Sequence, residues 1–207
     1  MITLYGSGQS RSFRALWALE ESGLDYRYNA VAIGSPEKGG TQTESYRSLN
    51  YQGKVPSLEH DGTVVNESAA ILNYIAALSP SKNLMPLNDL RLRAYYDELC
   101  FFVLAELEQA LWTNAKHKFV LPKEYRTRGI IDTTHWEFSK SLNALIHYLN
   151  ESKFAINDHF TMADILISHT LQWAEGSKFK IQQSLLDYKN RMYQRPACKR
   201  AIETLHN

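Results

Sequence analysis

A hairpin pattern near residue 60 constrains the fold of this chain more than any other stretch. Residues 55–60 and 63–65 have the composition of two short strands, and an Asp-Gly pair that tolerates the positive φ angles of a two-residue turn joins them. Pro56 cannot donate to a strand ladder, and it holds Val55 in an extended conformation. We therefore place Pro56 at the start or edge of a strand and expect the main chain of Val55 to be free for a ligand.

A helix is predicted directly after the hairpin. Ser68 opens an apolar run at helical spacing, and we expect its hydroxyl and the first unpaired N–H groups of the helix to face outward. The run consists of Ile71, Leu72, Tyr74, Ile75 and Leu78. A helix start of this kind favours a carboxylate or phosphate. Taken singly, Ser68 is more simply explained as a helix cap, and Pro56 as a residue that stiffens a turn.

A strand-helix-strand unit precedes the hairpin. Residues 2–5 form an apolar strand, a glycine-bearing turn follows, and the next helix ends at Gly23. Residues 26–31 alternate as a second strand, and the polar segment 34–50 has room for one short helix. A right-handed crossover would place the helix start beside the carboxyl end of the strand, where ligands bind in open sheets. This order predicts a thioredoxin-like α/β domain over residues 1–78.

The second half of the chain has a helical pattern throughout. Residues 79–88 contain two prolines and no hydrophobic period, which predicts a linker between domains. Asp89 is placed to cap a long helix, and Pro122 fits the first turn of a second one. The Thr-x-x-Asp pattern at 161–164 predicts a reciprocal cap ahead of a buried helix. We therefore predict an all-helical domain over residues 89–207.

Composition excludes several classes of function. A formal net charge of +1 gives no long-range attraction to nucleic acid or to an anionic membrane, so neither is an expected partner. The apolar runs are far shorter than the ~18 residues that span a bilayer, and no leader pattern precedes the first strand, so a cytoplasmic protein is expected. Cys100 and Cys198 lie in separate helical patterns and are predicted to be buried thiols. The seven histidines are scattered, and no metal site is expected.

Several motifs together resemble one family. The Gly-Lys-Val-Pro-x-Leu motif at 53–58, the hairpin and the Glu-Ser-x-Ala-Ile motif, in this order, resemble the glutathione-binding half of cytosolic glutathione transferases. Residues 10–24 are similar to the first helix of that family. The Phe-Thr-x-Ala-Asp motif at 160–164 and the Arg-Pro-Ala step at 195–197 resemble its all-helical second domain. The resemblance therefore covers essentially the whole chain and implies the glutathione transferase fold.

The resemblance implies a glutathione site in the first domain. In the family the proline is cis and exposes the preceding main chain to the cysteinyl part of glutathione, which points to Val55 and Pro56 here. The family's Glu-Ser pair grips the γ-glutamyl end, which points to Glu67 and Ser68. We place Lys54 near the glycine carboxylate, although a solvated surface charge explains this residue equally well.

Conjugation of glutathione requires a thiolate near neutral pH, whereas a free thiol has a pKa of about 8.5. A hydroxyl bonded to the sulfur and the positive end of a helix dipole both stabilise the anion. Three hydroxyls compete for this role: Ser10 at the turn-to-helix junction comes first, Tyr5 at the end of the first strand second, and Ser12 third. Arg11 is a candidate for electrostatic stabilisation of the thiolate. The remaining alternative is that Ser10 only caps the helix.

The family resemblance also implies a function. The chain is expected to be a metal-free glutathione transferase that uses glutathione as co-substrate, acts on small hydrophobic electrophiles in detoxification and forms a homodimer. Tyr95, Phe102 and Trp112 on the long helix are the predicted walls of the electrophile pocket. Isomerisation or peroxide reduction by the same thiolate remains open. The alternative from another class is a transferase-like binding or regulatory module of the stringent-starvation type, without turnover.

Overall fold

The computed structural model describes residues 1–206 and divides the chain into two compact units. Unit 1 comprises Met1–Leu87 together with residues 194–206. Unit 2 comprises Asn88–Tyr193. Among the described helices, none combines the length and the hydropathy that a membrane-spanning segment needs.

Unit 1 is built on a four-stranded mixed sheet. Its strands are β1 (Ile2–Gly6), β2 (Tyr26–Ala30), β3 (Ser57–His60) and β4 (Thr63–Asn66), in the order β2-β1-β3-β4. β1 runs parallel to β2 and antiparallel to β3, and β3 and β4 form an antiparallel hairpin. The turn residues Asp61 and Gly62 have φ angles of 48° and 81°, as a two-residue turn of this type requires. The hairpin prediction is confirmed, with Pro56 directly ahead of β3.

Two helices cover one face of this sheet. α1 (Ser12–Ser22) and α3 (Ser68–Leu78) pack against each other, and the strand residues beneath them, such as Leu4 and Leu58, are fully buried. Successive strand side chains alternate between the two faces of a sheet. Tyr5, the neighbour of Leu4, therefore lies on the face that α1 and α3 do not cover.

The connector between β2 and β3 contains a single helical turn, α2 (Glu44–Arg47). Thr43 caps it, because its side-chain oxygen accepts a hydrogen bond from the amide of Tyr46. This agrees with the prediction of one short helix between residues 34 and 50. The complete order of strands and helices in unit 1 is thioredoxin-like, as predicted.

The last helix, α9 (Pro196–Thr204), packs against α1. The guanidinium of Arg195 donates two hydrogen bonds to the carboxylate of Glu21, at 2.6 and 2.8 Å. Arg200 donates to the carboxylate of Glu20 at 2.7 Å and to its main-chain oxygen at 3.0 Å. Bidentate pairs of this kind hold two elements in a defined geometry. The compact units thus differ from the predicted domain boundaries in two respects, since residues 79–87 of the predicted linker and the end of the chain both group with unit 1.

Unit 2 is all-helical in its described residues. Its helices are α4 (Leu90–Phe102), α5 (Glu108–Ala115), α6 (Ile130–Leu149), α7 (Met162–Gly176) and α8 (Gln183–Tyr193). Two wider π-helical stretches, Val103–Leu107 and Lys116–Val120, precede and follow α5, so the chain is helical without a break over 90–120. Asp89 caps α4, because its carboxylate accepts from two amides of the first turn. The predicted long helix and its cap are confirmed.

The second helix of unit 2 begins later than the sequence predicts. Pro122 was expected in its first turn, but α6 begins at Ile130. The reason is Arg126, which donates to the main-chain oxygens of Lys118, Phe119 and Leu121 at 3.2, 2.9 and 2.7 Å. These bonds satisfy carbonyl groups that the preceding helix leaves open at its end, and they stabilise an irregular connection in place of a new helix.

The predicted reciprocal cap of α7 is present. Thr161 and Asp164 exchange hydrogen bonds in a capping box. The carboxylate of Asp164 also accepts from the amide of Ala155 at 2.8 Å and from Tyr188 Oη at 2.5 Å. Asp164 therefore joins the start of α7 to α8 inside unit 2.

Candidate active site

One end of the unit 1 sheet brings four chain segments together. β1 and β3 are antiparallel with Tyr5 opposite Ser57, so the end of β1 and the start of β3 share an edge. The turn after β1 leads into α1. Asn66 at the end of β4 also lies opposite Ser57 and leads into α3. The starts of α1 and α3 therefore lie beside the entry to β3.

The main chain at the entry to β3 is available to a ligand. The Val55-Pro56 peptide bond is cis. Across the described residues 1–206, the main chain of half-buried Val55 takes part in no hydrogen bond. The main-chain oxygen of Lys54, in contrast, accepts from Tyr46 Oη at 2.7 Å and from Asn50 Nδ2 at 3.1 Å. These two buried side chains fix the loop and leave the polar groups of Val55 open.

Two serine hydroxyl groups are hydrogen-bonded to each other at the start of α1. Ser10 Oγ donates to Ser12 Oγ at 3.0 Å and accepts from the Ser12 amide at 3.2 Å. Ser12 Oγ also accepts from the amide of Ser7 at 3.1 Å. Ser12 is fully buried against Gly6, where an added Cβ would lie 2.8 Å from Ser12 Cβ. Ser10 is only half-buried, and it is the one of these two candidates that keeps an accessible surface.

The start of α3 presents one exposed and one buried side chain. Glu67 is exposed with a φ of 67°, and its carboxylate has no partner within the part of the chain that the structure describes. Ser68 is 5% exposed, and its Oγ accepts from Arg14 Nη1 at 3.3 Å. The Ser68 hydroxyl therefore points inward, and the expectation that it faces outward is wrong, because Arg14 lies beneath it. The first amides of α3 have no side-chain cap, so the helix start keeps its preference for an anion.

Arg14 is a functional candidate that sequence reasoning missed. Its side chain is fully buried on α1, and a buried guanidinium is costly unless hydrogen bonds compensate it. The bond to Ser68 Oγ joins α1 to the start of α3. No local pattern identifies this role, because all residues from 12 to 19 are buried and the helix has no distinct polar face there. Tyr46 and Asn50 were missed for a similar reason, since they lie in a connector without apolar periodicity.

Tyr5 points away from the helix starts. Its hydroxyl donates to Glu59 Oε2 at 3.0 Å, and its ring lies edge-on to that of Tyr46 with centroids 6.2 Å apart. Burial and the adjacent Glu59 carboxylate raise the pKa of Tyr5 above its usual value. Because α1 covers the opposite face of the sheet, the Tyr5 hydroxyl and the start of α1, where Ser10 lies, are on different sides of the sheet.

Comparison with known proteins agrees with this geometry. The family model described as the glutathione S-transferase N-terminal domain matches residues 10–78. The glutathione S-transferase GstA of Escherichia coli O157:H7 is 26% identical over 188 residues, which are 89% of each chain. A solved sphingomonad glutathione S-transferase complexed with glutathione has a TM-score of 0.84 at 26% identity, over 99% of this chain and 98% of that one. Residues 10–78 thus form a glutathione S-transferase N-terminal domain, and the chain as a whole is similar to glutathione S-transferases. The resemblance proposed from the motifs is thereby confirmed.

The chain is also similar to proteins that are named as isomerases and not as transferases. The maleylacetoacetate isomerase of Rattus norvegicus is 26% identical over 178 residues, which are 84% of this chain and 77% of that protein. The similarity to these proteins therefore does not by itself select one reaction.

Two cations flank the candidate site. Lys54 is exposed beside Val55, and its ammonium group has no ion-pair partner among residues 1–206. Arg11 is half-buried at the N-cap position of α1, next to Ser10. Both predicted cations thus lie next in the chain to a residue of the candidate site.

The two thiols of the chain are structural. Cys100 and Cys198 are free and buried, as predicted. Burial raises the pKa of each thiol to about 12, so neither forms a thiolate near neutral pH. Across the described part of the chain, no group of three or more His, Cys, Asp or Glu side chains could hold a metal ion.

The predicted electrophile contacts fall into two places in unit 2. Tyr95 Oη donates to the main-chain oxygen of Tyr148 at 3.0 Å, and the ring of Phe102 lies 5.0 Å from that of Tyr148. Trp112 lies ten residues beyond Phe102 along the same helical stretch, which corresponds to about 15 Å. All three predicted contacts are half-buried. The structure therefore groups Tyr95 and Phe102 around Tyr148 and leaves Trp112 apart from them.

Proposed function

We propose that this chain adds the thiolate of glutathione to small hydrophobic electrophiles. The observation that carries the proposal is that three polar features lie together at one end of unit 1. They are the main chain of Val55, the first amides of α3 and the half-buried hydroxyl of Ser10. Together they match three parts of glutathione: the cysteinyl main chain, a terminal carboxylate and the thiol.

The γ-glutamyl end of glutathione carries both a carboxylate and an ammonium group. The carboxylate suits the uncapped amides at the start of α3, where Arg14 adds positive charge beneath Ser68. The ammonium group suits the exposed carboxylate of Glu67. At the other end of the tripeptide, the glycine carboxylate suits the ammonium group of Lys54, which precedes Val55 in the chain.

Ser10 is the proposed thiol-activating residue. It would donate its O–H to the sulfur and hold the pKa of the thiol below its usual value near 8.5. In the structure this O–H is donated to Ser12 Oγ, which still accepts the Ser7 amide when the O–H turns to the sulfur. Rotation of the O–H alone keeps Ser10 Oγ as the acceptor of the buried Ser12 amide. Arg11 is proposed to stabilise the thiolate further through its charge.

Unit 2 is proposed to supply the contacts for the electrophile. Tyr95, Phe102 and Trp112 are half-buried aromatic side chains, which suit a hydrophobic second substrate. We also propose a two-fold homodimer, on the strength of the family resemblance.

Isomerisation by the same thiolate is a second candidate, favoured by the rat relative that is named maleylacetoacetate isomerase. A thiolate that adds reversibly to an unsaturated substrate and leaves again regenerates glutathione, whereas conjugation consumes one glutathione for each product. Measurement of free thiol during turnover separates the two reactions. A binding module without turnover would consume none and form no product.

Calorimetric titration with glutathione tests the proposed site. The wild-type protein should bind, and Glu67→Gln should weaken binding about tenfold, since it removes one charge-assisted contact at an exposed position. Glu44→Gln is the matched control, because Glu44 is an exposed acid in the first turn of α2 and should leave the affinity unchanged. Absence of detectable binding at millimolar glutathione would contradict the proposal and favour the regulatory module.

A further inference from the structure

The connection between α5 and α6 combines exposed apolar side chains with basic ones. Phe119 and Tyr125 are each 67% exposed, and Val120 is 45% exposed. Residues 116–128, which we call the basic tip, contain five Lys or Arg and one Glu, a net charge of +4. The whole chain has a net charge of +1, so the remaining residues are net negative, at −3. Positive charge is therefore concentrated on the basic tip, although the net charge of the whole chain is close to zero.

The internal bonds of the basic tip fix its backbone and leave most of its cations unused. Arg126 donates to three main-chain oxygens of the tip, as described above. In contrast, no ion pair within residues 1–206 involves Lys118, Lys123 or Arg128, and all three side chains are exposed. A fixed backbone presents these cations and the apolar side chains to solvent together, without a large ordering cost on binding.

We propose that the basic tip docks on the surface of an anionic phospholipid membrane. Phe119, Val120 and Tyr125 would enter the headgroup region, where apolar surface leaves water and an aromatic ring tolerates a partly polar setting. The Lys and Arg side chains would lie beside the lipid phosphates, which their long apolar stems allow them to reach. The net charge of the whole chain led us to expect no membrane partner. The proposal differs from that expectation, because attraction at short range depends on the local charge.

A membrane explains the composition of the basic tip better than a nucleic acid does. A single strand could stack its bases on Phe119 and Tyr125 and bind the cations through its phosphates. It would leave the exposed aliphatic side chain of Val120 without a role, whereas a lipid surface uses aliphatic and aromatic groups alike. Docking of this kind is reversible and sensitive to salt, and it does not rest on the proposed glutathione chemistry.

Co-sedimentation of the full chain with lipid vesicles tests the proposal. The wild-type protein should bind vesicles that contain about a third phosphatidylserine and should not bind pure phosphatidylcholine vesicles. Lys118→Gln combined with Lys123→Gln should lower the binding constant about 25-fold, since each charge near such a surface contributes about fivefold. Phe119→Ser combined with Tyr125→Ser should lower it about tenfold or more.

Matched controls separate the basic tip from the general surface. Lys38→Gln combined with Lys180→Gln removes the same charge from two other exposed positions. Phe101→Ser removes a phenylalanine with the same 67% exposure as Phe119. Both controls should bind anionic vesicles like the wild type, and circular dichroism should show all variants folded. The proposal is overturned if the wild type does not prefer anionic vesicles, if the controls lose as much binding as the tip variants, or if a single-stranded oligonucleotide binds through these residues and vesicles do not.

Discussion

Replacement of Ser10 by alanine addresses the proposed activation of glutathione most directly. A hydrogen bond to a charged group contributes about 1.5–3 kcal/mol, and one pKa unit corresponds to about 1.4 kcal/mol. Loss of the Ser10 hydroxyl would therefore raise the pKa of the bound thiol by about one to two units. The structure argues for the lower value, because Ser10 must first give up its 3.0 Å hydrogen bond to Ser12. We expect an increase of about one unit.

The pH dependence of kcat/KM for conjugation of an activated aryl chloride measures this shift. Only the thiolate reacts, so a higher pKa reduces the reactive fraction at pH values below it. Ser10→Ala should therefore be about tenfold slower than the wild type at acidic pH and should approach the wild-type rate at alkaline pH.

Tyr5→Phe is the comparison variant, because its hydroxyl is bonded to Glu59 on the other face of the sheet, and it should leave the pH profile in place. An unchanged profile for Ser10→Ala, together with a shifted one for Tyr5→Phe, would refute the reasoning and identify Tyr5 as the donor.

Three further predictions follow from other buried contacts. Arg14→Met should raise KM for glutathione more than it lowers kcat and should destabilise the fold by about 1–3 kcal/mol, because Ser68 Oγ loses its donor and the α3 start loses a charge; steady-state kinetics and urea unfolding measure both. Tyr188→Phe removes the 2.5 Å bond to Asp164 and should cost about 1.5–3 kcal/mol in urea unfolding without affecting kinetics. Gly53→Ala should lower both stability and glutathione affinity, because Gly53 has a φ of 61° and an added Cβ would lie 2.8 Å from a backbone oxygen.

Each of these predictions has a result that would contradict it. A larger effect of Arg14→Met on kcat than on KM would mean that the arginine acts on the chemistry and not on binding. If Tyr188→Phe has the same unfolding midpoint as the wild type, the hydrogen bond between α7 and α8 does not contribute to stability. Gly62→Ala is the control for Gly53→Ala, because Gly62 has a φ of 81° in open space. Equal losses in the two glycine variants would show that the steric overlap at Gly53 has no effect.

Much of the local structure could be predicted because its causes act between neighbours in the chain. An Asp-Gly pair adopts the positive φ angles of the hairpin turn, and a carboxylate at position 89 accepts from amides two and three residues later. The capping box of α7 is equally local. The start of α6 could not be predicted in this way, because the side chain of Arg126 reaches back to Lys118, eight residues earlier.

The candidate site likewise has features that local sequence predicts and features that distant contacts decide. The motifs identify Val55, Pro56 and the two helix starts, because each motif is a short run of residues with its own backbone preference. They do not show that Ser68 points inward, since that depends on Arg14, which is 54 residues away in the chain.

By itself, then, the sequence determined the strands, the turn and most helix boundaries, because periodicity, turn residues and caps act over a few positions. Its motifs also gave the resemblance to glutathione transferases. Only the tertiary structure decided which hydroxyl stays accessible, which face of the sheet Tyr5 occupies relative to α1, and that α9 belongs with unit 1. It also decided that Lys118, Lys123 and Arg128 of the basic tip are exposed and take part in no ion pair within residues 1–206. These properties are set by contacts between residues far apart in the chain, on which local pattern carries no information.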